Sequence, residues 1–525
     1  MVSEIDAPTL KAWLSDRAEI AFLDVREAGQ FGEGHPFFAV PLPYSRFELG
    51  LPELVPNLNV RLVLCDGGDG IAARAAQRAA ALGYRDLYVL AGGIAAWRRA
   101  GYTLYAGVNV PSKTFGELVE QRRHTPRITA AELEAMREEG ENIVIVDGRP
   151  YAEYHRMNIP DGVCCPNGEL ALRIREIAPD PRTIIIVNCA GRTRSIIGAQ
   201  TLIDFGIPNQ VFALENGTQG WFLAGLTLER GASRRYPDRP RNMRGLEAHA
   251  RSLADQHGVV WVAPATVQDW LADSARTTYL LDVRTAEEFS ADGVPGFVHA
   301  PGGQLIQATD QWVGVRGARL LLLDDEFVRA PVVAAWLRQL GHEACVLNAD
   351  VASVRALSWQ RPTPPAPAPL PPITPAKAAA AITSGTARVI DLRPSMAYRK
   401  GNIAGSAWSI RPRIAPLVAA GKTLVLVADE PGVAALAARD LAEAGAKDIR
   451  LLAGGFGAWR AEGLPVAVTP DVPPDADCID FLFFTARRHD GDREAAQQYL
   501  DWETGLIAQL DAQERGAFFP LAPDA

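Results

Sequence analysis

One pattern, repeated four times, limits the fold of this chain more than any other feature. A short apolar run ends each time in Asp-x-Arg, at Asp24, Asp147, Asp282 and Asp391, and we number the four copies in that order. The period exceeds one hundred residues. It is too long for a solenoid unit, and each copy is large enough to bury its own core. The sequence therefore predicts four domains in tandem.

Within a copy, short apolar strands alternate with helical patterns. A Gly/Pro-rich segment follows Asp-x-Arg and leads to a second apolar strand, and three copies finish at a tryptophan, Trp97, Trp221 or Trp459. This alternation favours an α/β fold in which each mainly parallel sheet carries helices on both faces. Because Asp-x-Arg recurs in copies that differ elsewhere, we expect its aspartate and arginine to pair structurally at the strand end.

The repeat and two changes in composition predict the domain boundaries. The last segment matches no copy, and its apolar spacing indicates one or two amphipathic helices. A proline-rich stretch before copy 4 is typical of a stiff spacer. The predicted segments are domain 1 at 1–110, domain 2 at 111–232, a linker at 233–260, domain 3 at 261–360, a Pro-rich linker at 361–373, domain 4 at 374–468 and a helical tail at 469–525.

Composition excludes several classes of protein. The net charge of −9 argues against a general nucleic-acid binder, and no apolar run is long enough to span a bilayer. The first residues lack the features of a secretory signal. Six cysteines without a CxxC pair argue against a disulfide framework and a zinc site. We therefore expect a cytoplasmic protein without a membrane or nucleic-acid partner.

The second strand of copy 2 ends where reactive chemistry is expected. The run 183–187 leads through Asn188 to Cys189 and then to a helix-like segment. Backbone N–H groups converge at such a junction, and basic side chains beside it favour a thiolate and any anion bound to it. Cys189 is therefore the candidate nucleophile. The candidate binding residues around it are Ala190, Gly191, Arg192, Thr193, Arg194 and Ser195.

The roles of the loop side chains differ in what the sequence favours. Arg192 is expected to face the substrate, whereas Arg194 fits a catalytic role and a loop brace equally well. The hydroxyl of Ser195 is expected to cap the following helix rather than to contact sulfur. Glu169 is expected to be an exposed carboxylate, with a place at the mouth of the site as the alternative.

Taken together, the motifs of copy 2 resemble those of the rhodanese superfamily of sulfurtransferases. They are Asp-x-Arg, the pair Glu153-Tyr154, the Gly/Pro turn 159–162, Cys-x4-Arg from Cys189 to Arg194 and the glycine-rich finish at Trp221. The resemblance extends to about residue 468 as four rhodanese-like domains. It implies that Cys189 carries sulfane sulfur as a persulfide from a donor such as thiosulfate to a thiol or cyanide acceptor. It also implies that no metal or organic cofactor is needed.

Loop length separates this activity from a related one. Phosphatases of similar architecture use a Cys-x5-Arg loop around a phosphate, one residue longer than the loop here. The smaller ring favours a persulfide sulfur over a phosphate. The physiological donor and acceptor stay open, a persulfide-carrying protein among them, and the composition of the loop disfavours 3-mercaptopyruvate.

The other copies differ at the cysteine position. Cys65 keeps its place in copy 1, but the acidic loop after it is expected to raise the thiol pKa, so we treat Cys65 as a weak or inactive candidate for a second site. Asp324 in copy 3 and Ala428 in copy 4 cannot form a persulfide. This degeneracy supports an alternative function, a scaffold for protein interactions with Cys189 as a redox sensor.

Overall fold

The computed structural model describes residues 2–237, 243–357, 359, 367–419 and 421–518. The chain divides into two compact units. One contains most of copy 1 together with copy 4, and the other contains copies 2 and 3 and the residues from Thr485 onward. Among the described helices, none combines the length and the apolar character that crossing a bilayer requires.

Copy 1 forms a sheet with the strand order β1-β5-β4-β2-β3. Its strands are β1 (Val2–Ile5), β2 (Ile20–Asp24), β3 (Val40–Pro41), β4 (Arg61–Cys65) and β5 (Leu87–Leu90). Its helices are α1 (Ala7–Trp13), α2 (Ala28–Glu33), α3 (Phe47–Leu54), α4 (Ile71–Ala81) and α5 (Gly93–Arg99).

Copy 2 repeats this arrangement as β6-β10-β9-β7-β8, with every neighbouring pair parallel. Helix α6 (Val110–Arg123) precedes it. Its strands are β6 (Arg127–Ile128), β7 (Ile143–Asp147), β8 (Val163–Cys164), β9 (Ile184–Asn188) and β10 (Val211–Leu214). Its helices are α7 (Ala130–Glu138), α8 (Tyr151–Arg156), α9 (Leu170–Ile177), α10 (Thr193–Asp204) and α11 (Gly217–Leu223).

Copy 3 has the order β11-β16-β15-β12-β13, so the topology persists although its sequence lacks the final tryptophan motif. Helix α12 (Leu246–Gln256) precedes it. Its strands are β11 (Val260–Val262), β12 (Thr278–Asp282), β13 (Val298–His299), β14 (Val315–Arg316), β15 (Arg319–Leu323) and β16 (Glu343–Leu347). Its helices are α13 (Pro264–Ala272), α14 (Ala286–Asp292), α15 (Gly302–Gln307), α16 (Arg329–Gln339) and α17 (Val351–Arg355).

Copy 4 has the order β17-β22-β21-β18-β20, and three short helices follow it. Its strands are β17 (Pro372–Ile373), β18 (Ala387–Asp391), β19 (Asn402–Ile403), β20 (Ala407–Trp408), β21 (Thr423–Val427), β22 (Ile449–Leu452) and β23 (Val466–Ala467). Its helices are α18 (Pro375–Thr383), α19 (Ser395–Lys400), α20 (Pro431–Glu443) and α21 (Gly455–Ala461). The final helices are α22 (Arg493–Thr504), α23 (Leu506–Gln509) and α24 (Ala512–Arg515). The predicted α/β class with a helical tail is thus confirmed.

The central strand of copy 2 shows why the apolar runs are continuous. Ile185 and Val187 of β9 pack into the core on one face of the sheet, and Ile186 packs on the other face with Trp221. Parallel strands covered by helices on both faces bury every side chain, so their sequences do not alternate. The same packing fixes where β9 ends, and therefore where Cys189 lies.

The Asp-x-Arg motif is a buried ion pair, as expected. In copy 2 the guanidinium Nη2 of Arg149 lies 2.6 Å from Oδ2 of Asp147, and both side chains are 1% exposed. The equivalent pairs in the other copies are separated by 2.6 or 2.7 Å. A fully buried pair of this kind holds the strand end and the following turn together.

Two predicted linkers need comment. The segment 233–260, expected to be a loose linker, contains helix α12, whose side chains Leu246, Ala250 and Leu253 are buried. The apolar spacing of that helix is a signal that the basic residues before it obscured. The first residues of the proline-rich segment 361–373, 361–366, lie outside the described residues, and β17 begins within the rest at Pro372.

Candidate active site

Strand β9, a short loop and helix α10 position Cys189. The strand ends at Asn188 and the helix begins at Thr193, so the loop consists of residues 189–192. Helix α11 holds this loop from behind, because Thr218 N donates to Cys189 O at 2.8 Å and Gln219 N donates to Ala190 O at 3.1 Å. The Cys189 side chain is only 2% exposed. The thiol therefore lies in a buried, braced loop.

The loop presents a row of unused donors. Among the described residues, the backbone N–H groups from Ala190 to Arg194 have no hydrogen-bond partner. The first N–H groups of an α-helix always lack intrahelical acceptors, and they carry the positive end of the helix dipole. The junction after Cys189 is therefore suited to binding an anion.

Copy 3 shows what the same loop does with an anion. Asp324 follows β15 as Cys189 follows β9, and its carboxylate Oδ2 accepts hydrogen bonds from Val328 N at 2.9 Å, Arg329 N at 2.7 Å and Ala330 N at 3.3 Å. Copy 3 thus fills its own loop with a side-chain carboxylate. In copy 2 the donors equivalent to Val328 N and Arg329 N are Thr193 N and Arg194 N, which have no acceptor among the described residues and can bind an external or covalently attached anion.

Arg192 does not face a substrate, contrary to expectation. Its guanidinium donates to Glu117 Oε1 at 2.7 Å and Oε2 at 2.9 Å, and it also pairs with Glu120 on the same helix, α6. Burial disfavours the charged form of Arg192, but these carboxylates outweigh it and raise its pKa. Arg192 therefore anchors the loop to α6.

Arg194 forms an ion pair at the other side of the loop. Its Nη1 and Nη2 donate to the carboxylate of Glu153 on α8 at 2.9 and 2.8 Å, and Nη1 lies 3.4 Å from Gln304 Oε1. Burial opposes its charge, but Glu153 and, to a smaller extent, Cys189 raise its pKa. Arg194 is therefore a loop brace in an ion pair, and Glu153 offsets part of its charge.

Two hydroxyl side chains in the first turn of α10 are already hydrogen-bonded. Ser195 Oγ donates to Arg192 O at 2.7 Å, with Leu214 O as a second acceptor of the same proton at 3.3 Å. Ser195 therefore braces the first turn of α10 from within and does not cap the helix, contrary to expectation. Thr193 Oγ1 donates to Glu503 Oε1 at 2.7 Å. This second contact was not evident from the sequence, because its acceptor lies 310 residues along the chain.

The corresponding loop of copy 1 is closed by its own aspartate. Asp66 accepts hydrogen bonds from Gly68 N at 2.8 Å and Ala72 N at 2.9 Å. Burial, then Asp24 and to a smaller extent Asp66, raises the pKa of the Cys65 thiol well above its usual value, although Arg26 opposes the shift. The expected direction is confirmed, but burial contributes more than the acidic loop does.

Glu169 is buried rather than exposed, which corrects the expectation. It is 4% exposed and binds two arginines, Arg173 at 3.1 Å and Arg329 of copy 3 at 3.1 Å. It therefore joins copies 2 and 3 and does not line the mouth of the site. The sequence could not indicate this, because Arg329 lies 160 residues away.

Helix α22 lies directly on the loop, and nothing in the repeat pattern predicted it there. A Cβ atom at Gly191 would lie 2.9 Å from Glu503 Oε2 and 2.9 Å from Tyr499 Cε1. The Glu503 side chain is also 3.2 Å from Lys113 Nζ on α6, and both groups are buried. The copy 2 loop is therefore enclosed by α6, α11 and α22. In the described parts of the chain, no cluster of three His, Cys, Asp or Glu side chains is arranged to hold a metal.

Comparison with known proteins gives a consistent result. The family model described as Rhodanese-like domain matches residues 6–100, 129–224 and 374–462. The crystal structure of a thiosulfate sulfurtransferase from Pseudomonas aeruginosa has a TM-score of 0.90 and 42% identity, covering 98% of this chain and 99% of that chain. The family model therefore matches copies 1, 2 and 4, and the structural match covers nearly the whole chain.

Two curated proteins match single copies. A sulfurtransferase of Allochromatium vinosum is 31% identical over 109 residues, which cover 20% of this chain and 97% of that protein. An HTH-type transcriptional regulator of Mycobacterium tuberculosis is 36% identical over 105 residues, which cover 20% of this chain. The match spans 45% of the regulator's length.

Proposed function

The chain belongs to the rhodanese family of sulfurtransferases, and we propose that Cys189 is its sulfur carrier, taking sulfane sulfur from a donor such as thiosulfate. The observation that carries this proposal is the contrast between equivalent loops. Copy 2 combines a thiol with unpaired backbone N–H groups, whereas copy 3 satisfies its own donors with Asp324. A terminal persulfide sulfur is an anion that those N–H groups would stabilise.

The reaction proceeds in two balanced steps. The Cys189 thiolate attacks the outer sulfur of thiosulfate, a new S–S bond forms, and the old S–S bond breaks with its electron pair leaving on sulfite. The resulting Cys189 persulfide anion then gives its outer sulfur to a nucleophile and returns to the thiolate. Cyanide becomes thiocyanate, and a thiolate becomes a persulfide. A covalent intermediate of this kind divides one transfer into two simpler displacements.

The surrounding charges support the first step. Arg194, in the first turn of α10, is the cation that we expect to attract an anionic sulfur donor. The dipole of α10 acts in the same direction. We propose that copies 1, 3 and 4 carry no sulfur and support the fold around copy 2. All six cysteines are free, which suits a reducing compartment such as the cytoplasm.

Mass spectrometry after incubation with thiosulfate tests this function. We expect the peptide that contains Cys189 to gain the mass of one sulfur atom, and cyanide to remove it as thiocyanate. A Cys189→Ser variant is expected to lose thiocyanate formation, whereas the matched Cys65→Ser variant keeps it. Full activity in Cys189→Ser would refute the proposal. Sulfenic acid at Cys189 after peroxide, without turnover of any sulfur donor, would favour the redox-sensing scaffold instead.

A further inference from the structure

The element that encloses the Cys189 loop from outside the repeats is helix α22. Cys189, Gly191 and Thr193 are buried, and α22 contacts both α6 and α11. Gly191 has no space for a side chain on the side where Tyr499 and Glu503 lie. Helix α22 therefore covers the Cys189 loop at Gly191 and Thr193, and a molecule that approaches the thiol from that side must pass this helix or displace it.

A buried set of charged and polar contacts holds the C-terminal end of α22 in place. Glu503 Oε1 accepts from Thr193 Oγ1 at 2.7 Å and from Lys113 Nζ at 3.2 Å, and Lys113 also donates to the hydroxyl of Tyr499. Glu503 is 0% exposed and Lys113 is 6% exposed. Burial disfavours the charge of Glu503, but Lys113 and Thr193 outweigh it, so its pKa lies below the usual value.

This contact set, Lys113–Glu503–Thr193, is the latch of the helix. The Oε2 oxygen of Glu503 has no hydrogen-bond partner among the described residues and lies next to Gly191. An ionised carboxylate with one unsatisfied oxygen is costly in a closed state. The latch therefore binds one oxygen of the Glu503 carboxylate strongly and leaves the other unsatisfied. Such an arrangement suits a helix that can move away from the loop.

The N-terminal end of α22 is held differently. Arg493 donates to the carbonyl groups of Phe222 at 3.3 Å and Leu223 at 2.5 Å, at the end of α11, and this arginine is exposed. Exposed contacts contribute little to stability. The buried latch at Glu503 is therefore the dominant attachment near the loop.

A small cavity lies at α11, the helix that braces the Cys189 loop, and none of residues 189–195 lines it. This cavity of about 50 Å³ is lined in part by Gln219 of α11 and by Arg488 and His489 before α22. One water molecule needs about 10–15 Å³ of such space. The cavity therefore holds a small ion or a few waters, but not a peptide or a protein thiol.

We propose that α22 is a lid that selects, by size, the donors and acceptors that reach Cys189. Small ions exchange sulfur while the lid is closed, and a thiol carried on a peptide or protein requires the latch to open. Tyr499 and Glu503 are then the residues that set specificity, and Lys113 positions Glu503. The proposal rests on Cys189 being the sulfur carrier.

The test compares two maleimides on the intact protein. N-ethylmaleimide and a maleimide on a long polyethylene glycol chain react with the native protein and with Glu503→Gln and Lys113→Met, and the loss of the unmodified Cys189 peptide is followed by mass spectrometry. Each variant leaves the charge of its former partner buried without its counter-charge, which disfavours the closed state. We expect each to accelerate the large reagent about tenfold or more, and the small reagent much less. Glu494→Gln, at an exposed position of the same helix, is the matched control and should match the native rates.

Equal rates of the large reagent in the native protein and in the folded variants would overturn the proposal. Circular dichroism shows whether a variant has unfolded. If one has, the rates of the other variant are compared with those of the native protein. The native protein alone also gives a test. Its ratio of the large-maleimide rate to the small-maleimide rate at Cys189 should lie far below the same ratio in the urea-unfolded chain. Equal ratios in the two states would refute a lid. Labelling requires no sulfur donor. A lid that behaves as expected in a chain that never gains sulfur would overturn only the proposed function.

Discussion

Arg192 donates to both carboxylate oxygens of Glu117, at 2.7 and 2.9 Å. Each of the two side chains is 6% exposed. Burial raises the pKa of Glu117 to about 7 even though Arg192 lowers it. This pair ties the active-site loop to α6, which also carries Lys113. The loop cation nearest in sequence to Cys189 is therefore structural.

Replacing Arg192 with methionine should reduce stability more than it affects the donor. Glu117 would be left buried without its cation, a change that costs about 3–5 kcal/mol. We expect a lower urea midpoint, with the KM for thiosulfate close to that of the native protein. Arg182→Met is a suitable control, since that arginine is 86% exposed and pairs with Asp180 two residues away. A large rise in KM with an unchanged midpoint would show that Arg192 binds the donor.

Gly191→Ala should loosen α22. The added methyl group would meet Glu503 and Tyr499 at 2.9 Å, and overpacking of this kind costs about 1–3 kcal/mol. Faster hydrogen exchange in residues 493–504 is the expected result. Gly457→Ala, in α21, has nothing within 4 Å of the new methyl group and is the control. Unchanged exchange in the Gly191 variant would mean that the loop, not the helix, yields.

Cys65 should stay unmodified by thiosulfate. Asp66 already accepts from two amides of that loop, Gly68 N and Ala72 N, and burial and Asp24 raise the pKa of the thiol. Asp66→Asn removes one charge but neither the burial nor Asp24, so the variant should not restore sulfur loading. Peptide mass spectrometry gives the answer directly, and sulfur on the Cys65 peptide would make copy 1 a second carrier.

Glu27 should give copy 1 a stability that depends on pH. Its side chain is 3% exposed and accepts from Ser45 N at 3.0 Å and Ser45 Oγ at 2.8 Å. Burial raises its pKa from 4.5 to about 7, although Ser45 lowers it. The folded state therefore binds the proton more tightly. The stabilisation is complete below about pH 4.5 and is lost as the pH rises through about 7.

Glu27→Gln should remove this contribution. Relative to the native protein, the free energy of unfolding of the variant should rise by about 3 kcal/mol as the pH increases from 4.5 to 8. This change with pH is expected whatever the stability of the variant at the lower pH. Urea unfolding of both proteins across that range gives the difference. A constant difference would show that Glu27 is ionised throughout.

The repeat made most of the fold predictable, and distance along the chain limited the rest. Asp147 and Cys189 could be placed because each follows an apolar strand that the sequence shows clearly. The partners of Arg192 and Arg194 could not, since Glu117 and Glu153 are 75 and 41 residues away and ion pairs leave no periodic pattern. A guanidinium beside a cysteine therefore indicates a charged loop but not the direction in which its charge points.

Copy 3 shows a second limit. Its final motif has lost the glycines and tryptophan, and the family model does not match it, yet its strand order is the same as in the other copies. Strand burial maintains the topology without those residues, because Leu320, Leu321 and Leu322 fill both faces of the sheet. Short sequence motifs therefore indicate where a site lies, whereas continuous apolar strands indicate the fold.

The bond between Thr193 and Glu503 spans 310 positions of the chain. A ribosome adds roughly 5–20 residues per second, so about 15–60 s separate the synthesis of the loop from that of the residue that latches it. Throughout that interval the Cys189 loop lacks the contacts that α22 makes with Gly191 and Thr193. If α22 is the lid that we propose, Cys189 is more open to oxidation in the nascent chain than in the finished protein.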